Sequence, residues 1–354
     1  VSGSMQTANK LPLLKQALRM LAKRLRPEDR LAIAVYASAS GLVLPSTPGN
    51  DAWAISGALD QLEAGGSTNG GAGIQLAYNE AAEHFIEGGA NRVILATDGD
   101  FNVGVTNQSD LVALIEREAK RGIFLTVLGV GMGNLKDSTL EQLADKGNGN
   151  YAYIDTLQEA QKVLVEQMSG TLVTIAKDVK IQVEFNPAQV AAYRLIGYEN
   201  RMLAKEDFND DTKDAGEIGA GHAVTALYEL VPAGTEMPTP AVDPLKYQTV
   251  PAPAPEAQLS SELFTLKLRY KEPEGDTSKL LSFPVTDTDM ETDADFRFAA
   301  AVASFGMLLR NSEHAGTATF DSVIGLAREG LGEDAHGYRS EFIGLAQKAR
   351  ELKQ

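Results

Sequence analysis

Cysteine is absent from the 354 residues of the chain. Disulfides, thiolate metal sites and cysteine nucleophiles are therefore excluded, so a metal ion would have to be held by oxygen or histidine. Histidine is scarce as well, and its positions do not have the spacing of a ligand set; they are His84, His222, His314 and His336. The composition therefore indicates that a metal site in this chain would use oxygen ligands.

Long apolar runs and excess positive charge are also missing. No stretch of about 18 apolar residues occurs, which is the length that a membrane-spanning helix needs. Basic residues number 32 against 48 acidic ones, giving a net charge of −16. Such a charge disfavours nucleic acid and anionic membrane surfaces as partners. We expect no nucleic-acid binding and no direct membrane insertion by this segment.

Several signatures of nucleotide, esterase and calcium sites are lacking. The sequence has no Walker loop and no G-x-S-x-G elbow, and "GVGMGNL" lacks the glycine spacing of a dinucleotide fingerprint. Counted from Asp287, the acidic run "DTDMETDADF" has Thr292 and Phe298 where an EF-hand needs glycine and glutamate. We interpret this run as a solvated linker whose last acids favour the N-terminus of the next helix.

The first half of the chain alternates helical and strand patterns. Apolar residues have helical spacing in "LPLLKQALRMLAKRL", whereas "DRLAIAVYAS", "NRVILATDG" and "IFLTVLGVG" have the character of buried strands. Strands that alternate with helices predict right-handed crossovers and a mainly parallel sheet covered on both faces. We predict an α/β fold, doubly wound, over residues 1–172.

The pattern changes after about residue 173. Apolar and polar residues alternate in "VKIQVEF", "AVTALYEL" and "LFTLKLRY", which predicts antiparallel strands with one solvated face. We predict an antiparallel β-sandwich over residues 173–290, with a proline-rich loop at 231–258. Apolar residues return to helical spacing afterwards, and we predict a helical region over residues 291–354.

Three polar stretches of the first half fall at the ends of predicted strands, which is the edge of the sheet where ligands bind in such folds. They are "SGS" with Ser2 and Ser4, "GGSTNGG" with Thr68, and "ATDGD" with Asp98. Hydroxyl oxygens and a carboxylate form a hard-oxygen set that suits Mg²⁺, Mn²⁺ or Ca²⁺. Taken alone, the serines could be loop caps and Asp98 an ordinary turn residue before glycine.

These three stretches together resemble the metal-ion-dependent adhesion site of von Willebrand factor type A domains. That site has the pattern Asp-x-Ser-x-Ser, then a distant threonine, then a later aspartate. Ser2, Ser4, Thr68 and Asp98 match its last four positions in order. The first aspartate of the pattern would stand immediately before Val1.

The resemblance extends over the whole chain. The stretches "LADKGNGNYAYIDTLQEAQKVL" and "IAKDVKIQVEF" are similar to those of a bacterial YfbK-like family. The resemblance implies that the first strand of the domain lies upstream, together with an export signal and a location in the cell envelope or periplasm. We therefore expect no ion to be bound in this chain. We also expect "LAIAVYAS" and "RVILATDG" not to pair directly, because the missing strand belongs between them.

The resemblance implies a function in metal-dependent protein binding and no enzymatic activity. Neutral hydroxyls would leave Mg²⁺, or Mn²⁺ or Ca²⁺, with positive charge and an open position for an Asp or Glu carboxylate of a protein partner. One alternative is an assembly factor for an ATPase or a membrane complex. A less favoured alternative is a metal-assisted hydrolase with Ser4 as nucleophile, for which the sequence offers no neighbouring base.

Overall fold

The computed structural model describes residues 1–37, 39–65, 70–99, 108–132, 135, 137–167, 173–198, 202–213, 215–235, 254–273, 275–287 and 291–353. The chain forms two compact units that are discontinuous in sequence. The first contains Val1–Val179, Asp211–Ala223 and Tyr270–Lys279, and the second contains Lys180–Asp210, Val224–Arg269 and Leu280–Gln354. The domain boundaries at 172 and 290 stay predictions.

A parallel sheet forms the centre of the first unit. Its strands are β3 (Asn91–Thr97), β4 (Ile123–Val130) and β5 (Tyr151–Ile154), in the order β3-β4-β5. Asn91 pairs with Ile123 and Val127 with Tyr151, and both pairings are parallel. The parallel sheet predicted from the alternation of strands and helices is confirmed.

Both faces of this sheet are buried, as the near-continuous apolar sequence of β4 requires. Ile123, Leu125 and Val127 belong to one apolar cluster. Leu128 and Val130 belong to a second cluster. Successive side chains of a strand point to opposite faces, so the two clusters lie on opposite sides of the sheet. The doubly wound arrangement is confirmed.

The helices of the first unit supply the rest of these clusters. They are α1 (Leu11–Ala22), α2 (Ala52–Gln61), α3 (Gly70–Glu83), α4 (Gln108–Ala119), α5 (Asp137–Lys146) and α6 (Leu157–Gln161), the last continued by a π-helical turn at Lys162–Glu166. Residues of α1, α2 and α6 belong to the cluster that contains Leu128. Residues of α3, α4 and α5 belong to the cluster that contains Leu125.

A separate antiparallel hairpin precedes the parallel sheet in sequence. It consists of β1 (Arg30–Ala37) and β2 (Ala39–Pro48), with Arg30 opposite Pro48. Among the described residues, β1 pairs with β2 alone and is not hydrogen-bonded to β3 as a strand. The predicted lack of direct pairing between these two strands is confirmed.

The antiparallel strands after residue 173 form two sheets. One has the order β11-β10-β6-β8 and the other pairs β7 with β9. Their bounds are β6 (Thr174–Phe185), β7 (Val190–Ile196), β8 (Gly216–Gly219), β9 (Leu227–Pro232), β10 (Glu262–Lys271) and β11 (Lys279–Thr286). Within the second unit, the ring of Phe185 on β6 lies 4.4 Å from that of Tyr193 on β7 and 5.3 Å from that of Tyr228 on β9. Aromatic contacts therefore join the two sheets.

Residues 236–253 of the predicted proline-rich loop lie outside the described residues. The described end of that loop includes one short helix, α7 (Pro255–Leu259). Its first residue is a proline, which suits the first turn of a helix because the missing N–H has no intrahelical partner there.

Three helices complete the second unit, as predicted. They are α8 (Ala294–Leu309), α9 (Phe320–Glu329) and α10 (Tyr338–Lys353). Asp293 caps α8 by accepting a hydrogen bond from the backbone nitrogen of Phe296 at 2.7 Å. This cap gives the acidic run before the helix the role predicted for its last acids. Of the helices described here, none combines the length and the apolar character that crossing a membrane requires.

Candidate metal centre

The two predicted serines belong to a single 3-10 turn at Gly3–Gln6, with Ser2 at its N-cap and Ser4 within it. Their side-chain oxygens are 3.0 Å apart. Met5 anchors the turn, because it is 3% exposed and belongs to an apolar cluster of the first unit. Its backbone nitrogen also donates to the carbonyl of Ser2 at 3.0 Å. Both hydroxyls therefore lie together on a turn whose next residue, Met5, is buried.

Asp98 follows directly on the last residue of β3 and is 3% exposed. The chain turns at Gly99, whose φ of +92° lies in the region that favours glycine. The backbone nitrogen of Gly99 donates to the hydroxyl of Thr97 at 3.3 Å. The end of a buried strand and a glycine turn thus hold a carboxylate where water is largely excluded.

Lys10 connects the serine turn to Asp98. Its ammonium donates to Oδ2 of Asp98 at 2.8 Å and to the carbonyl oxygen of Ser4 at 3.1 Å. The side chains of Lys10 and Asp98 are 11% and 3% exposed, so their ion pair is shielded from solvent. The structure therefore brings Ser4 and Asp98 to the same ammonium group.

Sequence reasoning missed Lys10, although one signal was available. Lys10 occupies the N-cap position of α1 and makes no side-chain cap hydrogen bond. A helix N-terminus carries partial positive charge and prefers Ser, Thr, Asp or Asn at this position. A lysine there indicates that a nearby anion compensates the cation, and in this fold that anion is Asp98.

Gly131, in the glycine-rich turn after β4, lies against the stem of Lys10. An ideal Cβ built on Gly131 would be 2.3 Å from Cε of Lys10. The φ of Gly131 is +81°, and its carbonyl oxygen accepts a hydrogen bond from the hydroxyl of Tyr153 at 2.8 Å. The glycine-rich turn after β4 does not have the glycine spacing of a dinucleotide site. It forms one side of the space that holds the Lys10 side chain.

Tyr36 extends from β1 toward the end of β3. Its hydroxyl donates to the carbonyl oxygen of Ala96 at 2.7 Å. Burial, together with the negative charge of Asp98, raises the pKa of Tyr36 to about 12, although a hydrogen bond with Thr97 acts in the opposite direction. The Tyr36 side chain is therefore a neutral neighbour of Asp98 at physiological pH.

Thr68, the third predicted ligand position, lies outside the described residues. The described part of the predicted set is therefore Ser2, Ser4 and Asp98. The assignment of all four residues to a metal site stays a prediction.

The two serine hydroxyls have the spacing that a small divalent ion requires of adjacent ligands. Mg²⁺ binds oxygen at about 2.0–2.1 Å in octahedral geometry, so its adjacent ligands are about 2.9 Å apart. The hydroxyls of Ser2 and Ser4 have this spacing, at 3.0 Å, which is also that of a hydrogen bond between them. In such a site Asp98 would supply the negative charge that a set of neutral hydroxyls lacks.

A second acidic cluster lies on α3. Ligand atoms of Glu80, Glu83 and His84 lie within 4.8 Å of one another, and the last two residues are exposed. Oε1 of Glu80 accepts a hydrogen bond from the backbone nitrogen of Ser46 at 2.7 Å. This carboxylate thus already ties α3 to β2, and the cluster is typical of a solvated helix face.

Two family models match the chain in succession. Residues 1–167 match the von Willebrand factor type A domain. Residues 170–352 match the family described as "Uncharacterized protein YfbK, C-terminal". Type A domains are often metal-dependent protein-interaction modules, and the metal is commonly a divalent ion held at the adhesion site.

Three proteins illustrate these matches. The chain is 46% identical to "Uncharacterized protein YfbK" of Escherichia coli (strain K12) over 353 residues, which is 98% of this chain and 60% of that protein. It is 28% identical to "Uncharacterized protein sll0103" of Synechocystis sp., over 49% of this chain and 41% of that protein. A solved von Willebrand factor type A structure from Catenulispora acidiphila has a TM-score of 0.46 and 17% identity, and the match covers 94% of this chain and 78% of that one.

The chain thus spans 60% of the length of the Escherichia coli relative. The C-terminal model covers residues 170–352, more than half of the 354 residues, and adjoins the type A match that carries the candidate site. This chain belongs to the YfbK-like family, with a von Willebrand factor type A domain followed by a YfbK C-terminal domain.

Proposed function

We propose that this chain, within the full-length protein, is a divalent-metal-dependent protein-interaction module. In this proposal Ser2, Ser4, Thr68 and Asp98 hold Mg²⁺, with Mn²⁺ or Ca²⁺ as substitutes, and a partner supplies an Asp or Glu carboxylate. The observation that carries the proposal is the burial of Asp98, 3% exposed, beside the turn that presents two hydroxyls 3.0 Å apart. A buried carboxylate requires a cation or several donors as compensation, which the ammonium of Lys10 supplies in this structure and a divalent ion would supply in its place.

The donor set explains why such a site binds a partner. Hydroxyl ligands are neutral, so a single carboxylate leaves a divalent ion with net positive charge. An incoming carboxylate meets that charge in a partly desolvated place, where a charge-assisted contact is strong. Affinity for the partner then depends on the metal, because neither hydroxyls nor Asp98 attract a carboxylate by themselves.

The contacts of Ser4 support a role in binding over one in catalysis. Its described side-chain contact is the hydroxyl of Ser2, and the ammonium of Lys10 contacts its carbonyl oxygen. A serine nucleophile needs a base that takes its proton. A protonated lysine on the carbonyl oxygen does not supply one, so we infer that Ser4 is a ligand.

The proposal includes a location in the cell envelope, which rests on the resemblance to the YfbK-like family. Fractionation of cells that express the native protein tests this part, with an antibody against the chain as the probe. Recovery in the periplasmic or membrane fraction supports the proposed location. Recovery in the cytoplasmic fraction overturns the proposed location but leaves the proposed metal site unaffected.

Water relaxation with Mn²⁺ as the probe ion tests the open position directly. Mn²⁺ bound to the full-length protein should enhance the relaxation of water protons, and acetate should reduce that enhancement by replacing a bound water. Asp98→Asn should remove both effects. Asp60→Asn is the matched control, because Asp60 is an exposed carboxylate of the same unit that pairs with Arg19. An acetate effect that survives Asp98→Asn would overturn the assignment.

A further inference from the structure

We propose that Lys10 is a resident cation of this site, and that its ammonium competes with the divalent ion for Asp98. Lys10 then lowers the metal affinity and keeps the metal-free site folded. This inference rests on the proposed function, since it concerns the regulation of the same site. It assigns to Lys10 a role outside the ligand set of the adhesion-site pattern.

The burial of Lys10 is the first observation. Its ammonium lies 2.8 Å from Oδ2 of Asp98, and the two side chains are 11% and 3% exposed. Removing a lysine from water is costly unless a partner compensates the charge. Lys10 also occupies a helix N-cap, where a cation is unfavourable. Both costs are offset at one place, by the carboxylate of Asp98.

The fit of the surrounding backbone is the second observation. The carbonyl oxygen of Ser4 accepts from the ammonium at 3.1 Å. Gly131 leaves room for the stem, since a Cβ there would approach Cε of Lys10 to 2.3 Å. Segments that are far apart in sequence thus enclose one lysine side chain. This enclosure indicates a built position and distinguishes Lys10 from a surface lysine that happens to reach an acid.

The position of the ammonium has a direct consequence for metal binding. A divalent ion ligated by Asp98 must displace the ammonium or accept a like charge beside it. Coupling between two ligands of one site is reciprocal, so the ammonium weakens the metal as much as the metal weakens the ammonium. The site would therefore bind metal only above a concentration that Lys10 helps to set.

A purely structural role makes the opposite prediction. If Lys10 only fixes the turn that carries Ser4, its loss disorders a ligand and weakens the metal. If Lys10 is a competitor, its loss strengthens metal binding and destabilises the metal-free protein, where buried Asp98 loses the ammonium that balances its charge. The direction of the change in metal affinity separates the two roles.

The test compares Lys10→Met with wild type in the full-length protein, by calorimetric titration with Mn²⁺. We expect Lys10→Met to bind Mn²⁺ at least roughly tenfold more tightly, a typical size for coupling between sites. Lys15→Met is the matched control and should leave the affinity unchanged. Lys15 lies on the same helix, but its ammonium donates to the carbonyl oxygens of Asp60 and Leu62 at 3.0 and 3.1 Å.

Thermal unfolding supplies a second readout that does not depend on calorimetry. Lys10→Met should melt at a lower temperature than wild type without metal, and should gain more from saturating Mn²⁺. Lys10→Gln keeps an amide donor for Asp98 and replaces Lys10→Met where that variant fails to fold. Lys10→Arg retains the charge, so its affinity should stay close to that of wild type.

The outcomes separate this inference from the proposed function. Wild type that binds Mn²⁺ through Asp98, with Lys10→Met and Lys10→Gln binding equally or more weakly, overturns the role of Lys10 alone. Absence of Asp98-dependent Mn²⁺ binding in wild type and in both neutral variants overturns both proposals. Binding that appears only when Lys10 is neutralised, and that Asp98→Asn removes, supports both.

Discussion

The hydroxyl of Tyr36 on β1 donates a hydrogen bond to the carbonyl oxygen of Ala96 on β3, at 2.7 Å, although these strands are not paired. A side chain thus satisfies a backbone carbonyl at a place where a parallel sheet would supply a neighbouring strand. Ala96 lies two residues before Asp98, so this bond helps to hold the end of β3 on which the candidate site depends.

Tyr36→Phe should therefore destabilise the protein. The substitution leaves the Ala96 carbonyl without this donor, and an unsatisfied buried polar group costs about 1–3 kcal/mol. Urea unfolding measures the loss in the free energy of unfolding. Tyr193→Phe is the control, because Tyr193 is 60% exposed and its change should be close to zero. Equal effects of the two substitutions would contradict the role given to Tyr36.

Alkaline pH should weaken the fold through the same tyrosine. Burial raises the pKa of Tyr36 to about 12, above the value of 10.0 for an ordinary tyrosine. The protonated form is favoured by folding, so its contribution to stability is complete below about pH 10 and is lost as pH rises toward about 12. Urea unfolding across this range should show a steeper decline in wild type than in Tyr36→Phe. Parallel declines would show that Tyr36 titrates normally.

Substitutions at the two partners of the buried ion pair should have non-additive effects on stability. Asp98→Asn leaves Lys10 without its carboxylate, and Lys10→Met leaves Asp98 without its ammonium. Each should lower the free energy of unfolding by about 3 kcal/mol or more without metal. The double variant should lose less than the sum of the single changes. Strictly additive losses would show that these two groups do not interact.

Gly131→Ala should destabilise the protein through both its backbone and its contact with Lys10. A φ of +81° is unfavourable for alanine, and the new Cβ would overlap the lysine stem. We expect a loss of about 1–3 kcal/mol by urea unfolding. Gly57→Ala in α2 is the control, where nothing lies within 4 Å of a new Cβ. That substitution should stabilise the helix by about 0.5–1 kcal/mol, so a loss there would undermine the comparison.

The elements that sequence reasoning identified are those whose patterns are local. The continuous apolar run of β4 and the helical spacing of apolar residues in α1 are each visible within one short segment, so the type of both elements was predictable. The assembly of the first unit from three separate segments of the chain was not predictable in this way. The ammonium of Lys271 donates to Oδ2 of Asp178 at 2.6 Å and to the carbonyl oxygen of Asp211 at 2.8 Å, which ties together three segments far apart in the chain. No local pattern marks such contacts.

The candidate site likewise contains residues that a sequence motif identifies and one residue that only the fold brings to it. Ser2, Ser4 and Asp98 were identified because they match a spaced motif of hydroxyls and a carboxylate. Lys10 lies 88 residues from Asp98, and only the fold brings them together. A motif of metal-ligating residues does not include lysine, because the charged ammonium has no lone pair to offer a metal ion. The position of Lys10 beside Asp98 could therefore not be predicted from that motif.

Calorimetric titration of Mn²⁺ into the full-length protein and its Asp98→Asn variant tests the central claim most directly. We predict one Mn²⁺ per chain in wild type and in the Asp60→Asn control, with Mg²⁺ competing for it. Asp98→Asn should lower the affinity by about a hundredfold or abolish binding, since it removes the described carboxylate of the set. Binding of Mn²⁺ by Asp98→Asn as tightly as by wild type would contradict the assignment of the site.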